Sequence, residues 1–312
     1  MFNRYLRTYP WYFQLLMFVL MVFTLFSFVN LIAQALLPKI TGYSVNAILS
    51  INEQSPKTLV NASLLMQGIM HIGIFLLPAC LFAYLTHPRP ISYLGIRKPG
   101  KNIQWLLVIF IALGAIPVFM SMASIFQSLH WKWADEAQQR IENLEKPYLN
   151  MNSSADLLRV FAVMAILPAV GEELFFRGII MRFAKKRSRG MRFPILITST
   201  MFALFHFTAY GFFPILFAGI LLGLIYYLTG SIVCSMLFHL LNNGLQIILM
   251  YVAKDNAQLK SLVDSNSLPV YLPIAGLIVF GISFYLLWKN RTPLPADWAS
   301  DFTEAELSEK AL

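Results

Sequence analysis

Charge is what this sequence lacks. Asp, Glu, Lys and Arg make up 12% of its 312 residues, against about 25% in an ordinary soluble domain. A chain with half the usual charge cannot cover a water-facing surface. That excludes a soluble globular enzyme, a disordered chain and a coiled coil. Cysteine is nearly absent as well. Cys80 and Cys234 both lie inside apolar runs, so no disulfide framework is indicated. There is no HExxH sequence and no internal repeat. What is present is apolar: 58% of the residues are hydrophobic and the mean hydropathy is +0.64. In lipid, every backbone polar group must be satisfied inside a helix or a closed barrel. Barrel strands read as alternating segments of about 10 residues, whereas the runs here are unbroken and about twice as long. The expected fold is therefore all-α: a polytopic integral membrane helix bundle of about eight transmembrane helices.

Stretches long enough to span a bilayer fall at 11–37, 64–86, 104–128, 157–176, 194–210, 212–229, 231–252 and 270–288. The first follows Arg4 and Arg7 and is far longer than a signal-peptide core, so it reads as a retained anchor. With the N-terminus inside, 16 of the 24 Lys and Arg fall in inner segments, most densely at Arg182, Lys185, Lys186, Arg187, Arg189 and Arg192; Lys310 is the last. This bias predicts both termini on the cytoplasmic side and an even number of spans. The general style of the chain points to a bacterial cell membrane. The net charge of +9 suits loops facing anionic lipid rather than nucleic acid, since no basic face with interleaved aromatics lies outside the spans. Residues 1–290 are expected to form the membrane domain, and 291–312 an acidic cytoplasmic tail carrying Asp297, Asp301, Glu304, Glu306 and Glu309. That tail reads as a solvated end without chemistry. A polar outer loop at 129–156 holds an amphipathic helix around Trp131–Leu144, and Gly219 with Gly223 gives a close-packing pair.

Ionisable groups deep in a span are costly and mark function by default. They cluster in three spans. Glu172 and Glu173 are adjacent, so about 100° separates them on a helix. Glu173 and Arg177 stand at i,i+4 and can pair, leaving Glu172 to face elsewhere as a general base. An interfacial ion pair reaching for the headgroups would explain the same residues. His206 follows Phe202 at i,i+4, and His239 and Asn243 share a helical face. Interhelical hydrogen bonding is the plainer account of that last pair. At 1.5 Å per residue, Glu172 lies ~15 Å, His206 ~18 Å, His239 ~12 Å and Asn243 ~18 Å from the inner ends of their spans. One level of the membrane thus collects carboxylates, two imidazoles and an amide. His71 has no such company and reads as a packing residue, and His87 and His130 as loop residues.

Glu172-Glu173-x-x-x-Arg177, Phe202-x-x-x-His206 and His239-x-x-x-Asn243, in that order on separate spans, resemble the three motifs of the CAAX protease and bacteriocin-processing (Abi) family, which includes the type II CAAX prenyl endopeptidases. The likeness covers roughly 157–250, the expected catalytic core. It implies an intramembrane endopeptidase in which Glu172 is the base and His206 helps to hold the attacking water. Glu173 and Arg177 would orient that site, and His239 and Asn243 would stabilise the oxyanion. The substrate would be a peptide or a membrane protein, with prenylated CAAX proteins and bacteriocin-like peptides both open. A catalytic zinc on Glu172, His206 and His239 is the alternative chemistry; no bound metal is expected, because Asn243 beside His239 suits an oxyanion hole better than a ligand set. Two other classes use the same residues differently: a transporter or proton relay, and a non-catalytic immunity or scaffold protein.

Overall fold

The computed structural model describes residues 5–264, 268–303 and 306. Arg4, Glu304, Glu309 and Lys310 lie outside the described residues. All regular elements among those described are helical. Seven are long and apolar enough to cross a membrane: α1 (Trp11–Thr41), α2 (Lys57–Thr86), α3 (Ile103–Gln127), α5 (Ser154–Lys186), α7 (Phe212–Thr229), α8 (Ile232–Ala253) and α9 (Tyr271–Lys289). Between them stand α4 (Lys132–Leu149), the amphipathic helix of the polar loop, and α6 (Arg192–Leu204).

The local chemistry sets the boundaries. α1 begins after Pro10 and stops at Gly42, whose φ of 77° is the left-handed turn that glycine adopts without cost. Gly230 ends α7 in the same way. α5 opens on a reciprocal cap in which Ser153 and Asp156 satisfy each other's backbone N–H groups. α1 exposes Phe23, Phe28 and Leu31, so its apolar surface is complementary to lipid rather than to protein.

The fifth expected span differs most. α6 has 13 residues, about 20 Å of helix at 1.5 Å per residue, too short for a hydrocarbon core of about 30 Å. Its helix ends at Leu204, and the chain continues through a turn in which Phe207 takes a φ of 50°. The chain still reaches the polar loop between α3 and α5. At Tyr210 the hydroxyl donates to Asp135 of α4 at 2.8 Å and accepts from the Trp131 N–H at 3.0 Å. A helix and an irregular turn together replace the continuous helix expected over 194–210. α6 lies against α7 at the glycine pair: a Cβ on Gly219 would stand 3.0 Å from Ser199, and one on Gly223 3.0 Å from Ile195.

Two helices widen to π geometry, α2 at Ile72–Leu76 and α5 at Ala162–Ile166 and Leu174–Ile180. Pro78 and Pro168 each follow the first two of these turns by two residues. A proline brings no N–H to the ladder and crowds the carbonyl four residues back, which a wide turn accommodates. Such turns concentrate at functional sites, and here they flank His71 and the Glu172–Glu173 pair.

The tail from Thr292 to Thr303 is not a solvated end. Its backbone N–H groups at Thr292 and Leu294 donate to the Leu228 and Tyr227 carbonyls at the end of α7, and Leu294, Trp298 and Ala299 are buried. Arg182 donates to the carbonyls of Trp298 and Tyr93. Asp301 accepts from Lys186, Gln14 and Tyr93. The start of α1, the end of α5 and the tail therefore meet at one end of the bundle.

Candidate active site

The site is built around the middle of α5. Glu173 is fully buried and completely paired. Its Oε1 accepts from Arg177 Nη1 at 2.8 Å and from His239 Nδ1 at 3.0 Å. Its Oε2 accepts from the Ser235 hydroxyl at 2.6 Å. Arg177, also buried, donates its second amino group to the Gly219 carbonyl at 2.9 Å and lies over the Phe202 ring at 4.7 Å. The guanidinium thus joins α5, α6 and α7, while Glu173 joins α5 to α8.

Glu172 has the opposite surroundings. Its carboxylate is buried, yet Oε2 has no hydrogen-bond partner among the described residues. That oxygen faces His239 Nε2 at 3.9 Å. Because a carboxylate only accepts, His239 Nδ1 carries the proton it gives to Glu173, and Nε2 is the atom turned toward Glu172. His206 has the same polarity. Its Nδ1–H donates to the Phe202 carbonyl at 2.8 Å, which leaves Nε2 for other work. Its ring packs on Phe202 at 4.6 Å between centroids, and Phe202 meets His239 edge-on at 5.8 Å. His206 is solvent-accessible because it lies in the turn beyond α6 rather than inside a helix.

Of the expected residues, Glu172, Glu173, Arg177 and His239 are joined in one network, with His206 one phenyl ring away. Asn243 lies one turn beyond His239 on α8, and its Oδ1 accepts from Asn242 at 3.2 Å. Two members were missed. Ser235 lies one turn before His239, so the i,i+4 spacing that linked His239 to Asn243 also reaches it. His71 read as a packing residue, and the structure corrects that. Its Nε2 stands 3.2 Å from Glu172 Oε1, across 101 residues of sequence.

Zinc would draw on Glu172, His206 and His239. The donor chemistry suits it, since His206 and His239 each have Nδ1 held by an oxygen and Nε2 left over, the arrangement that orients metal-binding histidines. The spacing does not. Ligands about 2.0–2.2 Å from a tetrahedral ion stand roughly 3.4 Å apart, closer than the 3.9 Å between Glu172 and His239. Among the described residues no three His, Cys, Asp or Glu side chains are grouped to hold a metal. As they stand, these residues do not fit a bound zinc.

Residues 154–245 match the family model described as Type II CAAX prenyl endopeptidase Rce1-like. No curated protein and no solved structure matches the chain significantly. The matched segment contains α5, α6, α7 and most of α8, and with them every residue of the three motifs. It leaves out α1 to α4, α9 and His71. That match, with the three motifs in order on apolar helices, makes this segment similar to the type II CAAX prenyl endopeptidases and supports a membrane-embedded peptidase.

Proposed function

We propose that the protein is an intramembrane endopeptidase that hydrolyses a peptide bond with water activated by Glu172, without a metal. The observation that carries this reading is the division between the two carboxylates. Glu173 has its oxygens occupied by three donors, whereas Glu172 keeps Oε2 buried and bare, 3.9 Å from His239 Nε2. A buried carboxylate with a free oxygen can take the proton of a water held against it and His206. The hydroxide adds to the carbonyl carbon, and negative charge develops on the carbonyl oxygen. His239 and the Asn243 amide would donate to that oxygen. With Nδ1–H engaged by Glu173, donation from His239 Nε2 requires the doubly protonated ring. Collapse of the tetrahedral intermediate breaks the C–N bond, and Glu172 returns the proton to the leaving amine.

The substrate class is a peptide or membrane-protein segment that reaches the site within the bilayer. The position in a bacterial cell membrane with both termini cytoplasmic belongs to this proposal. The test is Glu172→Gln, which keeps shape but cannot accept the proton. Turnover of the best-cleaved member of a quenched fluorescent peptide library should fall at least ~10²-fold, the lower end for a general base, with thermal unfolding unchanged. In host membranes, cleavage products present with the wild type should be missing with Glu172→Ala. Cleavage by the glutamine variant at the wild-type rate would remove Glu172 from the mechanism and favour the relay or scaffold reading.

A further inference from the structure

We propose that His71, on α2 and outside the segment that carries the three motifs, is a positioning residue for Glu172. Its Nε2–H holds Oε1, so that Oε2 is the oxygen turned to His239 and to the attacking water. This inference rests on Glu172 being the base.

The geometry is specific on both sides of the contact. Glu172 accepts at Oε1 from His71 at 3.2 Å and has its other oxygen bare. His71 has its Nδ1 buried without a partner among the described residues, so the bond to Glu172 is the polar anchor of the ring. Packing alone would not aim a ring nitrogen at a carboxylate while leaving the other nitrogen buried and unpaired, since each such orphan is costly. A phenyl ring would fill the space without that cost.

The seat of the ring is built into the chain next to the base. A Cβ on Gly171 would lie 2.8 Å from His71 Cε1, 3.2 Å from Nδ1 and 3.4 Å from Phe75 Cβ. Glycine before Glu172 is therefore what lets the imidazole lie against the α5 backbone. Phe75 closes the other side at 4.7 Å between centroids. The wide turn of α2 begins at the next residue, Ile72, and Gly73 within it sits against Val29 of α1, where a Cβ would meet that side chain at 3.1 Å. α1 thus backs α2, α2 carries His71, and His71 fixes Glu172. Glu173 needs no such help because Arg177, Ser235 and His239 already hold it.

The experiment measures initial rates of the purified full chain in detergent on the best-cleaved quenched peptide. His71→Phe should lower kcat about 10–100-fold, the usual loss when an orienting partner of a site ligand is removed, with KM unchanged. His71→Gln, whose amide N–H reaches about as far as Nε2–H, should recover most of that loss; a purely structural role would not distinguish Gln from Phe in this direction. Gly171→Ala should lower kcat in the wild type, yet add nothing in a His71→Ala background, where the new methyl has room. That cycle holds even if the phenylalanine variant folds poorly. Wild-type kcat in His71→Phe, a glutamine variant no better than phenylalanine at equal Tm, or a Gly171→Ala loss that persists without the imidazole would each overturn the inference. Glu172→Gln in the same panel separates the two levels. If it is inactive while His71→Phe turns over normally, only the positioning role fails. If it is active, the base and its positioning residue fall together.

Discussion

Glu172 and Glu173 are adjacent copies of one side chain, and their environments give them different work. Glu173 and Arg177 form an ion pair with almost no water access, and breaking such a pair by removing one partner costs on the order of 3–5 kcal/mol. Arg177→Ala should therefore lower Tm in detergent sharply as well as abolish turnover. Arg177→Lys should recover only part of the stability, because an ammonium cannot span Glu173, the Gly219 carbonyl and the Phe202 face as a planar guanidinium does. A second prediction at this scale separates the two chemistries open to these side chains. If Glu172 and His206 position water, prolonged chelation leaves activity intact, and Asn243→Ala costs ~10²–10³-fold in kcat, as for a lost oxyanion donor. Stoichiometric zinc whose removal and return track activity would overturn the metal-free mechanism. The sequence made the Glu173–Arg177 pair legible because both residues lie on one helix at a fixed spacing. The same rule contained Ser235. It could not contain His71, because a contact between α2 and α5 is a tertiary fact with no periodicity in the chain.

At the scale of elements, hydropathy located the spans and failed on their internal geometry. A 3.6-residue pattern and an apolar count pass through Ile72–Leu76 and Leu174–Ile180 without registering a turn that closes one residue later. For the same reason 194–210 read as a full span: its composition stays apolar past Leu204, where the helix stops. At the end of the irregular turn the buried Tyr210 is fixed by Asp135 of α4 and by the Trp131 N–H, while Phe205 and Phe207 stay exposed. The glycines show where composition does predict packing. A Cβ on Gly114 of α3 would stand 2.6 Å from the Phe280 nitrogen and 2.7 Å from the Gly276 carbonyl oxygen of α9. Those are backbone atoms, so neither helix can yield by a side-chain rotation. Gly114→Ala should cost about 1–3 kcal/mol, the range for overpacking a close contact. Gly281 on α9 has nothing within 4 Å of a built Cβ, and alanine there should stay within about 0.5 kcal/mol of the wild type. Thermal unfolding of the two variants in the same detergent compares them directly.

For the whole molecule, the start of α1, the basic end of α5 and the tail meet at one end of the bundle, which agrees with an even number of crossings. Arg177 is buried in the site, and the bias of the other Lys and Arg residues favours that end as cytoplasmic. Reporter fusions at Gly100 and Lys186 should then read cytoplasmic, and fusions at Lys146 and Lys260 external; an external Lys186 would invert the placement. The junction of the two ends also makes a pH prediction. Glu306 accepts from Arg7 at 2.9 and 3.0 Å through its two oxygens and from the Thr303 N–H and hydroxyl. The Thr303 N–H and the Arg7 guanidinium hold its carboxyl well below the usual carboxylate range, at about 2. A group whose folded pKa is depressed stabilises the fold fully above its unfolded value, about 4.3 for glutamate, and loses that stabilisation as pH falls through the folded value. Glu306→Gln keeps the hydrogen-bonding shape without the charge. Its Tm deficit relative to the wild type should be constant between pH 6 and pH 8, shrink below pH 4 and vanish as pH approaches 2. A deficit independent of pH would mean that the charge of Glu306 adds nothing to the junction, which the Asp301 and Trp298 contacts would then hold.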